Sequence, residues 1–180
     1  MSPEQSLLHD ILNGDRAAQR ELYDRYVGYM MTVCLRYVPD KDAVQDVVQD
    51  VFVKVLTSIG HFQYRGEGSL RAWMSRIAAN ESLNYMREHE RLVFTDSMPE
   101  ATGDEEPDIG IVPTQVLLKM IGELPVGYRT VLNLYVFEEM SHKEIAHQLG
   151  IKESSSASQY LRAKSLLAKK INTYIKRNQR

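Results

Sequence analysis

A single cysteine, Cys34, excludes an intrachain disulfide and any zinc cage built from cysteines. Glycine (10) and proline (6) are scarce in a chain of 180 residues, which disfavours a turn-rich all-β fold. No apolar run approaches the roughly 18 residues of a membrane span. The opening MSPEQSLLHD has neither the basic start nor the apolar stretch of a secretory signal. Catalytic signatures are also missing. His142 and His147 are not at the four-residue spacing of a helical zinc pair, and His9, His61 and His89 are scattered. There is no phosphate-binding glycine loop and no GxSxG. The expectation is a cytoplasmic, mostly helical protein that is not an enzyme, inserts in no membrane, and needs neither cofactor nor metal.

What is present is helical periodicity and a divided charge. Apolar residues recur every three or four positions in four segments. Leu7, Leu8, Ile11 and Leu12 precede a stop at Asn13-Gly14; Leu22, Tyr26, Tyr29, Met30, Val33 and Tyr37 precede Pro39. Val44, Val47, Val48, Val51, Val55 and Ile59 form a valine face closed by Gly60, and Leu70, Trp73, Met74, Ile77, Leu83 and Met86 form a fourth stripe. Asp15, Asp40 and Ser69 are the expected caps. Residues 1–91 thus read as a small helical bundle. Residues 92–115 carry six acidic residues, no basic one and three of the prolines, and read as a mobile acidic linker. Residues 116–180 regain periodicity and a net basic balance, and from Ser154 onward every charged side chain is basic. The overall net charge of −2 hides this block, which suits a polyanion partner. The fold class expected is all-α, with two small helical domains and a linker.

The C-terminal segment carries a helix-turn-helix pattern. Ser141-His142-Lys143-Glu144 has the form of a capping box, Ile145, Ala146 and Leu149 follow on one face, and Gly150 permits the left-handed turn before a second helix. That helix begins with Ser154, Ser155, Ser156, Ser158 and Gln159, small or amide side chains suited to phosphates and base edges; Arg162 and Lys164 then reach the flanking backbone. In the N-terminal bundle, Asp42, Asp46, Gln49 and Asp50 lie off the valine face as an acidic ridge. Arg76, Asn80, Asn84, Arg87 and Arg91 form one polar stripe, basic at its ends and amide-bearing at its centre. The loop before it offers Phe62 and Tyr64 beside Arg65, an arrangement on which single-stranded bases stack.

Gly14-Asp15, Leu22-Tyr23-Asp24-Arg25-Tyr26, DAVQDVVQDVFVKVL (42–56), RGEGSLRAWMSRIAAN (65–80) and LPVGYRTVLNLYVFEEMSHKEIAHQLGI (124–151) together resemble a bacterial sigma factor of the extracytoplasmic-function group. The resemblance covers nearly the whole chain in the family's order. It implies sigma region two at about 1–91, region four with its helix-turn-helix at about 116–180, and the linker, 92–115, threading into polymerase. It implies that Asp46, Gln49, Asp50 and Phe52 dock on core RNA polymerase. It places Phe62, Tyr64, Arg65, Arg76, Asn80, Asn84 and Arg87 on the minus-ten element, and the helix holding Ser154 to Lys164 on the minus-thirty-five element. Core RNA polymerase and promoter DNA are the implied partners, with an anti-sigma factor as a family habit only. Four positions depart from the usual pattern: Asn84 for Asp, Lys152 for Ser or Pro, Ala157 for a basic residue and Ser156 for an apolar one. The competing reading is a conventional helix-turn-helix regulator with a helical sensor domain, which would bind its operator without polymerase.

Overall fold

The computed structural model describes residues 1–90, 92, 94 and 106–179. Every regular element among them is helical. The chain divides into two compact units, Met1–His89 and Glu90–Arg180. Among the described residues no helix is long and apolar enough to cross a membrane.

The first unit holds α1 (Pro3–Leu12), α2 (Arg16–Tyr37), α3 (Lys41–Ser58) and α4 (Ser69–His89). Three caps follow from local chemistry. Ser2 and Gln5 close a capping box on α1, Asp15 accepts from the Ala17 N–H, and Asp40 accepts from the N–H groups of Asp42 and Ala43. Ser69 differs from expectation: it is the first helical residue, and its Oγ accepts from the Arg65 N–H in the preceding loop. Gly60 also differs, because α3 ends at Ser58 and tightens into a 3₁₀ turn, Ile59–His61. α2, α3 and α4 pack mutually, and α1 packs on α2. The core between them is Leu22, Met30, Val33, Val44, Val48, Val51, Val55, Leu70, Met74, Leu83 and Met86, all essentially inaccessible. The valine period is therefore helical, with tertiary burial overriding the strand preference of valine. Burial also pushes the Cys34 thiol up to about 11, so it packs as a small apolar side chain.

The second unit holds α5 (Thr114–Gly122), α6 (Val126–Val136), α7 (His142–Leu149) and α8 (Glu153–Asn178). Ile121, Leu124, Tyr128, Leu132 and Ala163 form one core cluster, and Val112, Met120 and Ile171 a second. Ser141 and Glu144 close the expected capping box, and Gly150 sits at φ 67° with its N–H bonded to Ala146. Lys152 stands at the cap of α8 and supplies no side-chain hydrogen bond to it. The expected linker, 92–115, is only partly described, and Arg91, the last member of the α4 stripe, lies outside the described residues. Its C-terminal part is not a free spacer. Residues 109–111 form a 3₁₀ turn, and Val112 is buried against α5 and α8, giving that stretch an apolar anchor.

Candidate functional site

In the first unit, α3 presents one face to the core and the other to solvent. Val44, Val47, Val48, Val51 and Val55 are buried, while Asp42, Asp46, Gln49 and Asp50 are exposed. The helical repeat continues this ridge onto Val53, which is 63% exposed. Phe52 is not on that ridge. It is 5% exposed, and its ring lies 4.7 Å from that of Tyr23, which is 44% exposed. Phe52 therefore supports the surface from beneath, and Tyr23 of α2 is the aromatic that solvent meets. Neither Tyr23 nor Val53 is among the surface residues expected from the sequence; an apolar residue in register with an acidic stripe is the signal for Val53.

The loop between α3 and α4 and the first turns of α4 enclose an open cleft of about 400 Å³. Its walls include Phe62, Arg65, Trp73 and Arg76. The Phe62 and Trp73 rings stand 5.0 Å apart at 40°, and both are half-buried. Two guanidinium groups beside two aromatic rings make an environment for a flat, π-rich group attached to an anionic backbone. Trp73 was read from the sequence as a core residue, because its spacing fits the buried stripe. Arg76 also begins the exposed stripe Arg76, Asn80, Asn84 and Arg87, so the cleft opens onto that line of polar side chains.

Tyr64 does not line the cleft. Its hydroxyl shares a hydrogen bond with Ser2 Oγ at 2.9 Å. Nearby, Glu4 is 5% exposed, and its Oε2 accepts from the Gly68 N–H at 3.1 Å. The Tyr26 hydroxyl donates to Glu4 Oε1 at 3.5 Å, and burial, followed by the Glu4 charge, raises the Tyr26 phenol above its ordinary range.

In the second unit, α7 and α8 form the helix-turn-helix. Ile145 and Ala146 of α7 are buried. The α8 residues predicted to read DNA fall on two faces. Ser156 and Gln159 are completely buried, in register with Ala163, so they hold the helix and present nothing to a groove. Ser156 Oγ is hydrogen-bonded to His142 Nδ1 at 3.0 Å, and the His142 ring stacks on Tyr135 at 4.5 Å and 8°. Tyr135 in turn meets Tyr160 at 4.3 Å. The serine at a usually apolar position is thus satisfied by a histidine from the neighbouring helix. Ser154 and Lys164 are exposed, and Ser155, Ser158 and Arg162 are partly so. Leu161, an apolar side chain, is 57% exposed on this outer side.

Two cations of the basic block meet carboxylates. Lys164 Nζ donates to Glu106 Oε1 at 2.6 Å, and Lys170 Nζ donates to Glu123 Oε2 at 2.7 Å. The hydrogen bond and then the ammonium charge hold the Glu106 carboxyl below its usual range, while the same contact raises Lys164. Among the described residues no group of histidine, cysteine or carboxylate side chains could hold a metal ion.

Comparison with known proteins agrees with both units. Residues 22–92 match the family model of sigma-70 region 2, and residues 114–167 match that of sigma-70 region 4. The chain is 27% identical to the extracytoplasmic-function (ECF) RNA polymerase sigma-E factor of Escherichia coli (strain K12), over 97% of each chain. It is 26% identical to the ECF sigma factor SigM of Bacillus subtilis (strain 168), over 82% of this chain and 91% of that one. It is also 26% identical to the RNA polymerase sigma-H factor of Pseudomonas aeruginosa, over 96% of each. A chain in the solved structure of CnrH in complex with the cytosolic domain of CnrY shares the fold, with a TM-score of 0.50 and 22% identity over 93% of this chain and 96% of that one. A conventional regulator with a sensor domain is not favoured, since the N-terminal unit is itself a sigma-70 region. Sigma factors are initiation factors rather than catalysts, and their domains imply core RNA polymerase and promoter DNA as partners. The chain belongs to the extracytoplasmic-function group of sigma factors, which direct RNA polymerase to promoters.

Proposed function

We propose that the first unit docks on core polymerase through the α3 ridge and captures melted minus-ten DNA in the Phe62–Trp73 cleft, while α8 reads the minus-thirty-five duplex. The cleft carries this reading: two rings 5.0 Å apart, lined also by Arg65 and Arg76, suit an unstacked base and its phosphate. Asn80 and Asn84 continue the path with amides that donate to and accept from base edges. Docking falls to Asp46, Gln49, Asp50 and Val53, with Tyr23 at the margin and Phe52 beneath it.

On α8 the reading set is Ser154, Ser155, Ser158, Leu161, Arg162 and Lys164; Ser156 and Gln159 leave it because they are buried. Leu161 suits the methyl group of a thymine. The linker threads toward the polymerase active site, and the chain acts in the cytoplasm. An anti-sigma factor is a further partner, a family habit in keeping with the similar chain being bound to a cytosolic domain of CnrY.

The test is promoter-dependent transcription with purified core polymerase, on duplex templates and on templates pre-melted at the minus-ten element. Trp73→Ala is expected to lose about 1–3 kcal/mol of strand affinity on both templates. Wild-type activity of Trp73→Ala on both would overturn the cleft assignment.

A further inference from the structure

Helix α1 precedes the stretch matched by the region 2 model, which begins at residue 22. It nevertheless touches the cleft-forming loop at two points. Ser2, its cap, is bonded to Tyr64, and Glu4, in its first turn, accepts the N–H of Gly68. The other end of α1 is fixed by burial of Leu7, Leu8 and Ile11.

The loop needs such an anchor. Gly66 and Gly68 adopt φ of 113° and 84°, and beyond the adjoining residues no atom lies within 4 Å of where a Cβ would stand on either. They are therefore there for backbone conformation rather than close packing, and glycines give a chain many alternatives. A carboxylate as buried as Glu4 is costly unless it accepts hydrogen bonds. It accepts from Gly68 and from Tyr26, so its orientation is determined from the loop side and from α2. The result is a rigid link from the α1–α2 packing to the backbone that precedes α4, immediately next to Arg65 and Ser69 on the cleft wall.

We infer that α1 is a brace for strand capture, with Glu4 as the main positioning residue and the Ser2–Tyr64 pair as a second tie. The inference rests on the cleft reading above. Without the brace the loop samples more conformations, and binding the strand must then pay to order it. Capture of melted DNA falls, while docking through α3 and duplex reading through α8 stay as they were.

The experiment uses the full chain assembled with core polymerase and a promoter pre-melted at its minus-ten element. Core association and duplex retention are measured alongside strand capture. Glu4→Ala is expected to weaken capture about tenfold, with assembly unchanged, because hydrogen bonds to a charged group are lost. Glu4→Gln retains an acceptor for Gly68 and is expected to restore most of the loss. Equal loss of assembly and capture in Glu4→Ala, or no loss of capture, overturns the brace. If Glu4→Ala unfolds the unit, Tyr64→Phe decides: capture a few-fold weaker supports the brace, and wild-type capture overturns it. Trp73→Ala separates the two readings. Loss there without loss in Glu4→Ala overturns the brace alone. Loss in Glu4→Ala without loss in Trp73→Ala keeps the brace on the loop and overturns the cleft.

Discussion

Lys164, on the outer side of α8, is paired at 2.6 Å with Glu106 from the acidic stretch before α5. Both groups are solvent-exposed, so the pair adds little to stability. Its weight lies in competition: if Lys164 contacts a phosphate as proposed, it must first leave a carboxylate. Glu106→Gln is expected to raise affinity for promoter duplex at low salt, and the gain is expected to shrink as salt rises. The Glu106 carboxyl is held below its ordinary range, so the pair is complete at neutral pH and is lost only as pH falls through that lowered value. The mutant and the parent should therefore converge in acid. Duplex titrations over salt and pH check this; equal affinities at neutral pH and low salt would contradict it.

The acidic ridge of α3 gives a second expectation. Asp46 and Asp50 are exposed, opposite the buried valines. Asp46→Lys with Asp50→Lys should abolish association with core polymerase while the thermal midpoint stays within a few degrees, because exposed substitutions rarely exceed about 0.5 kcal/mol. Gel filtration with core polymerase and thermal unfolding measure the two quantities. Normal assembly of the double variant is the contrary result.

The two surfaces proposed to read DNA differ in chemistry and should differ in salt response. Asn80→Ala removes an uncharged amide, so it should change minus-ten base preference by about 1–3 kcal/mol with little effect on the salt slope. Arg162→Ala removes a cation, so it should lower the duplex salt slope by about 0.9 and weaken all promoter variants evenly. A pre-melted template should relieve only the melting part of the Asn80→Ala defect. Transcription over a salt series on matched templates separates the two. A minus-ten preference altered by Arg162→Ala would refute the division.

Gly150 closes α7 at φ 67°, and beyond the adjoining residues no atom lies within 4 Å of its notional Cβ. Space is therefore not the constraint, and only backbone strain is. Gly150→Ala should destabilise by about 1–2 kcal/mol, the cost of a left-handed residue carrying a Cβ. Gly150→Asn should cost less, since asparagine tolerates that conformation. Denaturant unfolding of the three proteins gives the order.

Helix positions and caps were legible because their causes are local. Asp15, Asp40 and the Ser141–Glu144 box act within one turn, and Gly150 within one residue. The valine face of α3 was legible from period alone. Two errors are local: Ser69 is the first residue of α4 rather than its cap, and Gly60 sits inside a 3₁₀ turn. The larger errors fall where the partner is distant in sequence. Ser156 and Gln159 are polar and begin a basic helix, so they read as solvent-facing. His142, fourteen positions earlier, makes burial of Ser156 tolerable. Trp73 fits a buried period yet half of it forms a cleft wall, because the loop bearing Phe62 folds over one edge. Glu4 sits in a first turn where acidic residues are ordinary, and its role depends on Gly68, sixty-four positions away.

The alternation along α8 also separates what variation can reach. Ser156, Gln159 and Ala163 are committed to holding the helix in place, and changes there would be felt throughout the C-terminal unit. Ser154, Ser155, Ser158 and Leu161 carry less of that burden. If they read the minus-thirty-five element as proposed, exchanging them as a set is expected to redirect promoter preference with the scaffold left unaltered.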